Sequence, residues 1–224
     1  MNIPPIAEKY LNEVTRTKYN KDFVILSKKN PDLLLKIITP IVMLFNKKFN
    51  TGFITILFGK MWMPYGFEDG ATDERWLSIL IHETFHEMDR KKFTTPLFTL
   101  MYLFPQWLGL LSFLSLGAIW GGGMWLWWLA CLIFLAPIPA PFRMWFELRA
   151  YRTNLLFGKK IYNYDKANLE IQKKWYAHNA FLGPNYYFCW PFKKHMLKLL
   201  SDTTHRDKKE YKEIEAWLDR NYEL

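Results

Sequence analysis

Cysteine is scarce: Cys131 and Cys189 are the only two in 224 residues. They do not have metal-ligand spacing, and two cysteines make no disulfide framework, so a reducing compartment fits. The first residues, MNIPPIAEKYLNEV, lack a basic stretch followed by an apolar core, so no cleavable signal peptide is expected. Internal repeats and low-complexity tracts are missing too. The net charge is +9, yet there is no Arg-rich tract and no nucleic-acid module, so no nucleic-acid partner is expected. A basic surface next to uncharged apolar sequence points instead to an anionic lipid bilayer.

Charge itself is absent from Phe93 through Phe142. That run is too long for one membrane span, which needs roughly 20 apolar residues. It divides at Gly121-Gly122-Gly123 into expected spans at about 96–119 and 124–140, a transmembrane hairpin over 94–141. Trp120, Trp125, Trp127 and Trp128 cluster at the division, as in an aromatic belt. Arg90, Lys91 and Lys92 precede the hairpin, and Arg143, Arg149 and Arg152 follow it. By the positive-inside rule both ends face the cytoplasm, making the chain an integral, multi-pass membrane protein.

What is present is mostly helical patterning. Residues 1–30 read as an amphipathic helix and a loop. Pro31 opens a second helix, interrupted by Pro40, that is either a core helix or a membrane-surface helix. Thr51–Met63 has β-branched and aromatic residues around Gly59 and reads as one bent strand or a short hairpin. Thr72 or Asp73 caps the next helix, DERWLSILIHETFHEMDRKK, whose acidic start and basic end suit the helix dipole. A helix resumes at Phe142, residues 159–179 read as helix, 181–192 as aromatic loop, and the tail from Lys193 as one or two amphipathic helices. The expected fold is mainly α with a small β-sheet (α+β), a single domain over residues 1–224.

The chemistry lies in His82-Glu83-Thr84-Phe85-His86, an H-E-x-x-H sequence on that helix. Residues four apart share a helix face, so two imidazoles can hold one Zn2+. Glu83, next to the first ligand, is placed to act as general base toward a water whose pKa the zinc lowers. A catalytic zinc needs a third protein ligand. Asp89, Glu147, Glu170, His178, His195 and His205 are the candidates. Asp89 gives poor geometry, being on the same straight helix. Glu147 is better placed, because a hairpin returns the chain to the side it left.

The order of strand, H-E-x-x-H helix, transmembrane hairpin and a helix bearing Glu147-Leu148-Arg149-Ala150 resembles the membrane-bound gluzincin zinc metallopeptidases of the HtpX and CAAX prenyl protease type. The resemblance covers roughly residues 50–155. It implies a zincin-like catalytic domain with an inserted transmembrane helical hairpin. It also implies zinc on His82, His86 and Glu147, Glu83 as catalytic glutamate, and a peptide or membrane-protein substrate. In that family an edge strand pairs with substrate. Phe53–Phe58 would be that strand, with Phe53, Ile54, Thr55 and Ile56 as substrate contacts. A later His or Arg holds substrate or oxyanion there, and His178, Arg152, Tyr176 and Asn154 are the options here. The chain departs from the family in its small size, its aromatic C-terminal half and the bulky Thr84-Phe85 between the histidines. Two other readings stay open: a non-catalytic membrane interaction protein with a structural metal site, and a zinc hydrolase of a non-peptide substrate.

Overall fold

The structure is a computed structural model. It describes residues 3–45, 47–57, 59–105, 108, 111–112, 114–115, 129–135, 138–183, 189–204 and 208–222. Helices dominate, with one small sheet beside them. Helix α1, Pro5–Tyr10, begins with proline at its first position, where the missing N–H costs nothing. It continues as wider π-type turns over Leu11–Tyr19. Strand β1 is Val24–Ser27, helix α2 Leu33–Phe45, helix α3 Phe49–Gly52, strand β2 Thr55–Leu57 and strand β3 Lys60–Met63.

The sheet order is β1-β3-β2, with β1 parallel and β2 antiparallel to β3. Of the two readings of 51–63, a bent strand or a short hairpin, the chain adopts the hairpin, while β1 lies where only a loop was read. Gly59, with φ of 77°, makes the turn between β2 and β3. A larger residue would be strained at that φ, and its Cβ, 2.6 Å from Asn20 Nδ2, would displace that side chain. The central strand is apolar on both faces, and Met61, Trp62 and Met63 are fully buried. Helix α2 runs through Pro40 instead of stopping at it.

Lys28, at the end of β1, is 1% exposed. Its Nζ donates to the Phe49 carbonyl at 2.5 Å and the Phe53 carbonyl at 2.7 Å, and lies 3.8 Å from the centre of the Phe49 ring. One buried ammonium thereby ties β1 to the chain that leads into β2.

Helix α4 is Asp73–Phe93, and Thr72 caps it by accepting from the Arg75 amide. Helix α5, Thr95–Leu103, follows after a sharp turn at Thr94, whose φ is 65°. Helix α6 is Pro141–Tyr162, ended by Asn163 in the left-handed region. Then come α7, Lys166–Tyr176, with a π-type extension Ala177–Leu182, α8, Lys193–Ser201, and α9, Lys209–Asn221. Helices α4 and α6 pack together and run antiparallel. Arg149 pairs with Asp89 at one end, and the Tyr162 hydroxyl donates to the Glu74 carbonyl at the other. Trp76, Leu77, Leu80, Ile81 and Phe85 of α4 are buried in a core shared with α1, α6, α9 and the sheet. The opposite side of α6 packs through Met144, Leu148 and Leu155 on α7 and α8.

The transmembrane hairpin is corrected. Among the described residues no helix is long and apolar enough to cross a membrane. The expected first span, 96–119, begins in α5, which has nine residues and ends at Leu103. Nine residues rise about 13 Å, under half of the roughly 30 Å hydrocarbon core. Pro105 lacks the N–H that would continue the helix. Residues 108, 111–112 and 114–115 then lie in 3₁₀ turns. The aromatic residues of α5 bury themselves against protein: Phe98 packs on Phe146 with ring centres 4.8 Å apart. Of the second expected span, 124–140, the described residues are two helical positions at 129–130, a 3₁₀ helix, Cys131–Leu135, and irregular chain at 138–140. The glycine turn and its tryptophans lie outside the described residues. An inserted hairpin over 94–141, a multi-pass membrane protein and the topology deduced from the flanking charges are all overturned with it.

Candidate metal centre

Three side chains from two helices meet between α4 and α6. His82 and His86 sit one turn apart on α4, and Glu147 faces them from α6. Glu147 Oε2 lies 3.5 Å from His82 Nε2, and Glu147 Oε1 lies 3.8 Å from His86 Nε2. One donor atom from each of the three falls within 4.8 Å of the others, so the group could hold a metal ion. All three are buried, Glu147 at 1% exposure.

The donor set fits a small divalent cation. A tetrahedral ion with bonds of about 2.0–2.2 Å places its ligands roughly 3.3–3.6 Å apart. Glu147 Oε2 and His86 Nδ1 are buried with no hydrogen-bond partner among the described residues. A buried carboxylate oxygen without a hydrogen bond is costly, and a cation beside it would reduce the cost.

The protonation states also suit a metal. Burial opposes the charge on Glu147, but the two histidines and the Tyr102 hydroxyl outweigh it, holding this carboxyl down at about 2. Burial pushes His86 down to about 4, against the pull of Glu147. His82 is also penalised by burial, yet the Glu147 and Glu83 carboxylates raise it overall. Burial pushes Glu83 up to about 7, with His82 opposing the shift and Glu147 adding to it. At neutral pH the cluster therefore offers an ionised carboxylate and at least one neutral imidazole, the forms that bind metal.

Neighbouring side chains fix these ligands. The Tyr102 hydroxyl, from α5, donates to Glu147 Oε1. The Tyr102 ring also lies 6.0 Å from that of His86. Tyr151, one turn after Glu147 on α6, meets the His82 ring edge-on at 4.6 Å. Below the cluster, Glu87 accepts from Asn20 Nδ2 at 2.7 Å and from Arg90 at 2.6 Å, anchoring α4 to the segment before β1. Tyr102 and Tyr151 carried no sequence signal. Tyr102 lies in the uncharged run read as membrane, and its role depends on the turn at Thr94.

A cleft of about 910 Å³ opens beside the cluster. His82 and Glu83 line it from α4, Tyr151 and Asn154 from α6, Tyr176 from α7, and Phe53 and Ile54 from the segment entering β2. Asn154 Oδ1 has no hydrogen-bond partner among the described residues. Strand β2 is an edge of the sheet, paired only with β3 among the described residues. Thr55 and Ile56 lie in that strand, half-buried and outside the cleft lining, and Ile56 packs on the core.

The remaining sequence candidates go elsewhere. Arg152 donates to the Leu199 carbonyl at 2.7 Å and to Asp202 at 3.4 Å, closing the end of α8. His178 is exposed, outside both cluster and cleft lining. Asp89 is taken by Arg149, Glu170 is exposed and paired with Lys173 at 2.7 Å, and His195 accepts from Trp190. His205 lies outside the described residues. No protein-family model, curated protein or solved structure matches this chain, so its own geometry carries the functional reading.

Proposed function

We propose that the protein is a zinc-dependent peptidase, with zinc on His82, His86 and Glu147 and Glu83 as general base. The observation that carries this is the opening of the buried cluster onto the cleft through His82 and Glu83 together. Two imidazoles and one carboxylate, leaving a position open, are the donor set of a catalytic zinc rather than a structural one. Bound there, zinc supplies Lewis acidity toward a carbonyl and lowers the pKa of a water. Glu83, with its carboxyl pushed up to about 7, is poised to take a proton from the attacking water near neutral pH. The same carboxyl then returns the proton to the leaving amine.

A peptide is favoured as substrate by the sheet edge. Phe53 and Ile54 line the cleft directly before edge strand β2. Main-chain groups of such an edge pair with an extended chain and give affinity with little sequence demand. The cleft volume is at the upper end of ligand sites, enough for several residues of an extended peptide.

The test is metal analysis of the purified chain combined with Glu83→Gln. One zinc per chain is expected in both proteins. Hydrolysis of fluorogenic peptides should fall about 10²- to 10⁴-fold in the variant, the usual contribution of a general base. A chain without stoichiometric metal, or a variant with full turnover, would refute the proposal. Zinc retained with no peptide hydrolysis in either protein would leave a metal site but remove the peptidase.

A further inference from the structure

We propose that Arg75 sets the specificity of the cleft by taking a carboxylate carried by the substrate, a step that rests on the peptidase reading above. Arg75, Ser78, Ile79, His82 and Glu83 of α4 all line the cleft. Their spacing of three and four places them along one face of the helix. Arg75 is the one Lys or Arg among the cleft-lining residues described. No ion pair between described residues involves it.

Its position is unusual for a cation. It stands in the first turn of α4, where the helix dipole disfavours positive charge. The guanidinium lies over the Phe67 ring, 5.2 Å from its centre, and Phe67 itself is buried against Trp76. A planar cation resting on a fixed ring keeps its hydrogen-bonding edge for a carboxylate, which it can grip with two bonds.

Distance along the helix sets the register. Arg75 precedes His82 by seven residues, about 10 Å along the axis, and an extended peptide advances about 3.3 Å per residue. For a peptide lying along this face of α4, the carboxylate falls about three residues from the bond cut at the cluster. An acidic side chain and a free C-terminus offer the same chemistry there.

Binding to the Glu83→Gln protein tests this without relying on turnover. The probes are fluorescent, C-terminally amidated peptides with one Glu placed at each position in turn. A matching amidated series with one Lys at each position, a neutral amidated peptide and a peptide with neutral side chains and a free C-terminus complete the set. We expect about tenfold tighter binding when a carboxylate occupies the favoured position, as for a partly exposed charged hydrogen bond. A gain confined to the free C-terminus assigns the site to a chain end; a gain from internal Glu assigns it to a side chain. Arg75→Ala should level the series, and Arg75→Glu should invert it toward Lys-containing peptides. That inversion would not follow from a merely structural role. Equal binding of all peptides, or an acid preference that survives in the Arg75 variants, would overturn the assignment while leaving the peptidase intact. Failure of every peptide to bind would overturn both.

Discussion

Replacing Lys28 by Met should be nearly neutral for stability at pH 7 and clearly destabilising at pH 10.5. Lys28 is 1% exposed, and desolvation pushes its ammonium from 10.5 down to about 8. A shift of that size corresponds to about 3 kcal/mol disfavouring the charged form in the folded state. Below pH 8 both folded and unfolded chains carry the proton, so the full cost is present. Between 8 and 10.5 the folded chain loses its proton while the unfolded chain keeps it, and stability rises with pH. By pH 10.5 the cost is relieved, yet the neutral amine still donates to the Phe49 and Phe53 carbonyls. Methionine is similar in length but donates to neither, leaving two buried acceptors unmade at about 1–2 kcal/mol each. At pH 7 that loss and the relief of the buried charge nearly cancel. At pH 10.5 only the loss remains, about 3 kcal/mol. Urea unfolding of both proteins at several pH values measures the difference, and the tyrosines, common to both, drop out of it. A variant already destabilised by 3 kcal/mol at pH 7, with no growth in the gap on raising pH, would sink this account of Lys28.

Two further outcomes concern the metal centre. Tyr102→Phe removes the hydroxyl that holds Glu147, and zinc affinity in chelator competition should fall about 10- to 100-fold; unchanged affinity would mean that Tyr102 does not position the ligand. Zinc affinity should also weaken as pH falls from 8 to 5, because the raised pKa of His82 lets protons compete there first, whereas His86, lowered to about 4, stays neutral over this range. An affinity that is flat over that interval would contradict the proton competition assigned to His82.

Much of the site was legible because helix signals are local. Thr72 as cap, the acidic first turn and the apolar face through Trp76, Leu80 and Phe85 all lie close together in the chain, and the helix forms from Asp73 to Phe93, one residue past the stretch read. His82, Glu83 and His86 follow from that helix by spacing alone. Glu147 was reached through a membrane hairpin, yet no helix among the described residues is long and apolar enough to cross a membrane. Its place beside the histidines comes instead from the antiparallel packing of α6 on α4. Strand β1 was missed because four residues after a helix carry almost no pattern, and its pairing partner, β3, lies over thirty residues away.

The uncharged run from Phe93 to Phe142 marks the limit of such reading. Lack of charge says only that a segment avoids water; it does not say whether lipid or protein replaces the water. Local chemistry decides where a helix starts, what caps it and which of its residues share a face, so His82, Glu83 and His86 as a group belong to the sequence. Tertiary packing decided the rest. The turn at Thr94 folds Phe98 and Tyr102 back over His86 and Glu147. The sheet edge and α6 bring Phe53, Tyr151 and Asn154 around Glu83. Contacts between residues tens of positions apart depend on how the chain closes around its core, which no local periodicity encodes.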